Sequence, residues 1–117
     1  MDEQLYRSML FDFYGELLTE KQQDCFHLHF NEDLSLGEIA EDLGISRQAV
    51  WDNIRRAEEL LKRNEEKIGL VARHVRLRTQ AAALAEKAGE LRDLTDGRAG
   101  ELAAELCRGI QELQDGI

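Results

Sequence analysis

The stretch from Leu36 to Leu61 constrains this chain more than any other. It reads as a short helix, a tight turn and a longer helix. Ser35-Leu-Gly-Glu38 is a capping box, with Ser35 set to accept from the Glu38 amide and Glu38 set to reach back to the Ser35 amide. Ile39, Ala40 and Leu43 form one apolar face. Gly44 stands where the helix must stop and the backbone must take a positive φ. Ile45 is an apolar plug between the helices, and Ser46 caps the second one. That helix repeats apolar residues at Val50, Ile54, Ala57 and Leu61, a single stripe at helical period. Two helices joined by a short glycine-containing turn make a helix-turn-helix. In DNA-binding versions the second helix enters the major groove.

The remainder of the chain is compatible with an all-helical protein. Its 117 residues include no proline, and they suit one domain with an appendage. No apolar run approaches the roughly 20 residues of a membrane span. The start, Met-Asp-Glu-Gln, has no basic segment leading into an apolar one, so no signal peptide and a cytoplasmic location are expected. Cys25 and Cys107 are isolated and read as reduced thiols.

Periodicity places a first helix at residues 3–18, with Leu5, Met9, Leu10, Phe13 and Leu17 as its core stripe. Tyr6, Phe11 and Tyr14 make this helix apolar almost all round, which calls for a covering surface, either a second copy or the tail. Thr19-Glu-Lys-Gln22 is another capping box and opens helix two, carrying Cys25, Phe26, Leu28 and Phe30. Asn31 to Leu34 form a polar loop. The helix-turn-helix domain is assigned to 1–68, and helix four runs unbroken to Gly69. Residues 69–117 form a helical tail for intra- or intermolecular packing, a hairpin of about 70–94 and 98–114 turning at Thr95-Asp-Gly97. Leu77, Ala81, Leu84, Ala88 and Leu91 give it a short heptad seam, expected to pack on the last helix or on a partner. Leu102, Leu106, Ile110 and Leu113 repeat at helical spacing after the turn.

The outward positions of helix four supply the candidate nucleic-acid contacts: Ser46, Arg47, Gln48, Trp51, Asp52, Arg55 and Arg56. Glutamine pairs with adenine, and arginine with guanine or phosphate. Trp51, the single tryptophan, has two readings, base stacking and packing on helix one or across a dimer interface, of which packing is the expected one. Charge opposes the nucleic-acid reading. The net charge is −9, and residues 1–70 hold 16 acidic against 8 basic side chains, whereas phosphate binding rewards basic surfaces. Asp24, Cys25, His27 and His29 look like a metal cluster, but on a helix the two histidines diverge by about 200° and cannot share an ion. Glu58-Glu59 and Glu65-Glu66 are expected to be a solvated face pairing with Lys62, Arg63 and Lys67. No catalytic arrangement, metal site or cofactor is expected.

Gly44-Ile-Ser-Arg47, Val50, Ile54, Arg56-Ala57 and Leu61 resemble region 4 of bacterial sigma factors. Leu10-Phe-Asp-Phe-Tyr-Gly-Glu-Leu-Leu-Thr-Glu-Lys-Gln22, then Phe30 to Ser46-Arg-Gln-Ala-Val, then Asp52-Asn-Ile, resemble the YlxM (UPF0122) family of small bacterial proteins. The likeness covers roughly 3–74, with a tail expected to be longer than the family's. It implies a four-helix, sigma-region-4-like helix-turn-helix domain followed by a C-terminal helical hairpin. It also implies a non-enzymatic DNA-binding regulator linked to the signal recognition particle pathway. Trp51 and Asp52 replace residues that sigma region 4 often has as basic or small and polar, so a true sigma factor is not expected. The partners expected are DNA or signal recognition particle RNA, a protein component of that particle, and a second copy as homodimer, with no membrane. The competing expectation is a protein-interaction adaptor that binds no DNA.

Overall fold

The structure, a computed structural model, describes residues 2–117. The chain is all-α. Its helices are α1 (Glu3–Tyr14), α2 (Glu20–Phe30), α3 (Leu36–Leu43), α4 (Arg47–Ile68), α5 (Leu70–Leu94) and α6 (Gly97–Gly116), with a single 3-10 turn at Gly15–Leu17 after α1. It divides into two compact units, Met1–Val71 and Ala72–Ile117.

Local signals set the boundaries in the first unit. Thr19 and Ser35 each close a reciprocal capping box, with Gln22 and Glu38 as the returning side chains. The amide of Ser35 donates to the Glu38 carboxylate and holds it below the usual carboxylate range. Gly44 ends α3 at φ 69° and Gly69 ends α4 at φ 73°, left-handed values that disfavour a side chain. Ser46 accepts from the Ala49 amide at 3.0 Å and starts α4.

The core forms along α4. Val50, Ile54, Ala57 and Leu61 are all buried, and α1, α2 and α3 each pack against this helix. Around the turn, Cys25, Ile39, Val50 and Ile54 form the centre, with Leu28, Leu34, Leu36, Leu43 and Ile45 packed against it. Burial raises the Cys25 thiol above its ordinary pKa. On the α1 side the buried residues are Leu10, Tyr14, Leu18, Phe26 and Val71. Phe11 stacks on Phe26 with ring centroids 5.0 Å apart. Arg7 lies 4.2 Å over the Phe30 ring and pairs with Glu58 at 3.1 Å.

Three expectations need correction here. The α1 core stripe runs through Leu10 and Tyr14, while Leu5, Phe13 and Leu17 are exposed. The chain leaves α-helical geometry after Tyr14, so Leu17 no longer continues the stripe. The acidic pairs on α4 do not simply face their own lysines. Glu58 reaches Arg7 across to α1, Glu59 pairs with Arg55, and Glu65 accepts from the Tyr14 hydroxyl at 2.6 Å and the Val71 amide at 2.9 Å.

That last cluster closes the unit. Helix α5 begins directly after Gly69, with no Ser, Thr, Asp or Asn in place as its cap. Its orphan amides are taken by other parts of the fold, Val71 by Glu65 and Leu70 by the Tyr14 oxygen at 2.9 Å. Tyr14 is 1% exposed, and burial is the main reason its hydroxyl holds its proton above the ordinary value of 10.0.

In the second unit α5 and α6 form an antiparallel hairpin, with Arg78 donating to the Ile117 carbonyl at 3.4 Å. Its heptad behaves differently from the expectation. Only the alanines Ala81 and Ala88 are sealed, while Leu77, Leu84 and Leu91 stay open. On α6 the sealed residue is Ala103, while Leu102, Leu106 and Leu113 are exposed. The buried positions of this hairpin are thus small side chains.

Tyr14→Phe is expected to destabilise the protein by about 1–3 kcal/mol in urea unfolding, since Glu65 and the Leu70 amide lose a buried partner. A raised phenol pKa means the contribution is whole below pH 10.0 and fades as pH climbs through the folded-state value. The variant should therefore lose less stability than the parent above pH 10. Equal stability of the two proteins at neutral pH would contradict the clamp.

Candidate nucleic-acid interface

The packing of α4 dictates which side chains remain free. With Val50, Ile54 and Ala57 turned inward, the opposite side of the first three turns must face solvent. Ser46, Arg47, Gln48, Trp51, Arg55 and Arg56 are exposed, and Asp52 is half-buried. The seven predicted residues are therefore brought to the N-terminal part of one helix.

They divide into smaller groups. Arg47, Gln48 and Trp51 line a shallow depression with Leu36 of α3. Trp51 and Arg55 line a second one with His29, Phe30, Leu36, Ile54 and Glu58. Arg56 lines neither. The Arg47 guanidinium lies over Gly37, where an added Cβ would stand 3.1 Å from its terminal nitrogen. Gly37 thus gives Arg47 room above the first turn of α3.

Electrostatics temper this surface from within. Gln48 donates to Asp52 at 3.4 Å, and Arg55 pairs with Glu59 at 2.9 Å. Each pair is one helical turn apart. Exposed pairs of this kind contribute little to stability, but they occupy the donors that would meet bases or phosphates. Arg47 and Arg56 carry no ion pair among the described residues.

Trp51 departs from the expectation that it packs on helix one. It is 47% exposed, and the Arg55 guanidinium lies 5.2 Å from its ring centre. It does not pack on α1, because its position lies off the Val50–Ile54–Ala57 stripe that faces the neighbouring helices. The candidate metal cluster also resolves into ordinary roles. Cys25 is buried, His27 pairs with Asn31 and Glu32, and His29 bonds the Leu34 carbonyl at 2.9 Å.

Sequence reasoning missed Leu36, Gly37 and His29 at this surface. Leu36 and Gly37 carry only a helix-start signal in the sequence, and their proximity to Arg47 and Trp51 depends on the crossing of α3 and α4. The Arg55–Glu59 and Gln48–Asp52 pairs did have a signal, the four-residue spacing on one face.

As the single tryptophan, Trp51 gives a direct check. Emission of the folded protein should be red-shifted and readily quenched by acrylamide. Trp51→Ala should change stability by no more than about 1 kcal/mol. A blue-shifted, protected emission would contradict the exposed placement.

Comparison with known proteins agrees with this architecture. Residues 1–96 match the family described as "putative helix-turn-helix protein, YlxM / p13 like", UPF0122. The UPF0122 protein of Thermoanaerobacter sp. (strain X514) is 41% identical over 113 residues, 96% of this chain and 97% of the relative. That of Geobacillus kaustophilus is 42% identical over 113 residues, covering 97% and 98%. That of Caldanaerobacter subterraneus subsp. tengcongensis is 52% identical over 73 residues, 62% of each chain. Near full-length coverage corrects the expectation of a tail longer than the family's, and the match reaches past residue 74 to 96. This chain belongs to the UPF0122 family of YlxM/p13-like helix-turn-helix proteins.

Proposed function

We infer that this protein is a nucleic-acid-binding regulator, not an enzyme, and that the N-terminal turns of α4 form its reading surface. The observation that carries this reading is the exposed row from Ser46 to Arg56, set opposite a fully buried stripe. Within this row, Arg47 and Arg56 carry no ion pair among the described residues. Arg55 joins them once it leaves Glu59, and Gln48 offers a base-edge contact once it leaves Asp52. DNA is the leading ligand. Signal recognition particle RNA is the alternative, supported by the family resemblance.

The arrangement implies weak, salt-sensitive binding. Three arginine contacts correspond to a slope of about −3 in log K against log salt on duplex DNA. Anisotropy titration of labelled duplex DNA and signal recognition particle RNA at low salt is the test. Arg47→Ala and Arg56→Ala should each weaken binding by about 1–3 kcal/mol. Glu59→Gln should strengthen binding by releasing Arg55. No binding to either ligand, or binding indifferent to all three substitutions, would overturn the reading.

The second reading, a protein-interaction adaptor, draws support from the exposed Leu5, Phe13 and Leu17 on the α1 side and from the acidity of residues 1–70. Recovery of a stable protein partner from nuclease-treated lysate, lost on Leu5→Lys/Leu17→Lys and kept on Arg47→Ala, would favour it.

A further inference from the structure

We propose that the hairpin of α5 and α6 is a self-association surface, through which two copies of this chain pair by their leucine faces into a four-helix bundle.

The hairpin leaves two rows of leucines uncovered. Leu77, Leu84 and Leu91 on α5, and Leu102, Leu106 and Leu113 on α6, are between 38% and 65% exposed. These six lie on one side. At about 100° per residue, the α5 leucines sit roughly 50° to one side of the Ala81–Ala88 line. The α6 leucines sit some 60–100° to the same rotational side of Ala103. Because the helices run antiparallel, the same rotational sense carries both rows to a single face. The other face carries Arg78, Ala85, Gly89 and Arg92 on α5, with Ala104, Cys107 and Gln111 on α6.

Three buried alanines are a thin interior for a hairpin of this length. Two-helix units rarely hold alone without further burial. The leucine face therefore calls for an occupant, and charge selects a second copy. By the same geometry Arg73, Arg76 and Lys87, against Glu90, flank the α5 leucines, and Glu105 and Glu112, against Arg98, flank those of α6. The two edges differ in sign. A twofold axis between two hairpins lays each α5 on the partner's α6, so leucine meets leucine in the middle and the edges are of opposite charge. The face measures roughly 30 Å by 20 Å, so its footprint is on the scale of the ~800 Å² per partner in a stable interface.

Light scattering on the full chain should report twice the 13.4 kDa chain mass at micromolar concentration. Leu84→Lys/Leu106→Lys should weaken association by more than about tenfold. Because lysines on this face can also unfold the hairpin, a charge-swap pair provides the independent check. One variant carries Arg73→Glu/Arg76→Glu/Lys87→Glu, the other Glu101→Lys/Glu105→Lys/Glu112→Lys. Each alone should be monomeric, and their mixture should form heterodimers. A monomeric parent overturns the proposal. A dimer indifferent to the leucine substitutions, or charge-swap variants that pair with themselves as well as with each other, overturns it too.

Discussion

The N-terminal unit depends on the burial of one stripe of α4. Val50, Ile54, Ala57 and Leu61 are the shared ground on which α1, α2 and α3 pack. A helix that commits one side to a core has no freedom in what it shows on the other. Turning α4 by a single residue, about 100°, would bring Trp51 and Arg55 toward the core and take Val50 and Ile54 out of it. The outward row is therefore a consequence of packing before it is a binding surface.

The α4–α5 junction shows how a local shortage is met from a distance. Helix α5 follows Gly69 immediately, and its sequence provides no capping side chain. Glu65 and Tyr14 fill that role together, and Tyr14 comes from the opposite end of the unit. The same two residues thereby tie α1 to the end of α4. Burial keeps the Tyr14 phenol protonated, so the hydroxyl can donate to Glu65 while its oxygen accepts from Leu70.

Charge is the feature in tension with the fold's apparent use. The first unit is strongly acidic, and Asp52 and Glu59 sit within the outward row itself. Their pairing with Gln48 and Arg55 makes the surface nearly neutral. A nucleic acid would have to compete for those donors, which favours selective or conditional contact over tight non-specific adhesion. The half-exposed Trp51 supplies apolar area at the same place and would serve stacking or a protein contact equally well.

Much of the first unit was legible in the residues. The capping boxes at Thr19 and Ser35, the Gly44 turn, the Ser46 cap and the α4 stripe all rest on interactions within four residues, and the helices begin and end where those signals lie. The α5–α6 hairpin followed from periodicity and one turn. Its side-chain roles did not, because a heptad pattern cannot say whether Leu84 or Ala88 faces the neighbouring helix. The α1 stripe differs from its periodicity for a related reason. With apolar residues on every side, period alone could not decide which were buried, and packing chose Leu10 and Tyr14 over Leu5 and Phe13. What the sequence by itself determined was the succession of helices and the identity of the outward row, since both follow from local hydrogen bonding and helical period. Only the tertiary structure decided the Tyr14–Glu65 clamp, the Arg7–Glu58 pair, the Arg47–Gly37 approach and the openness of Trp51 and the hairpin leucines. Each of these depends on which helices meet, and that is set by packing between segments far apart in the chain.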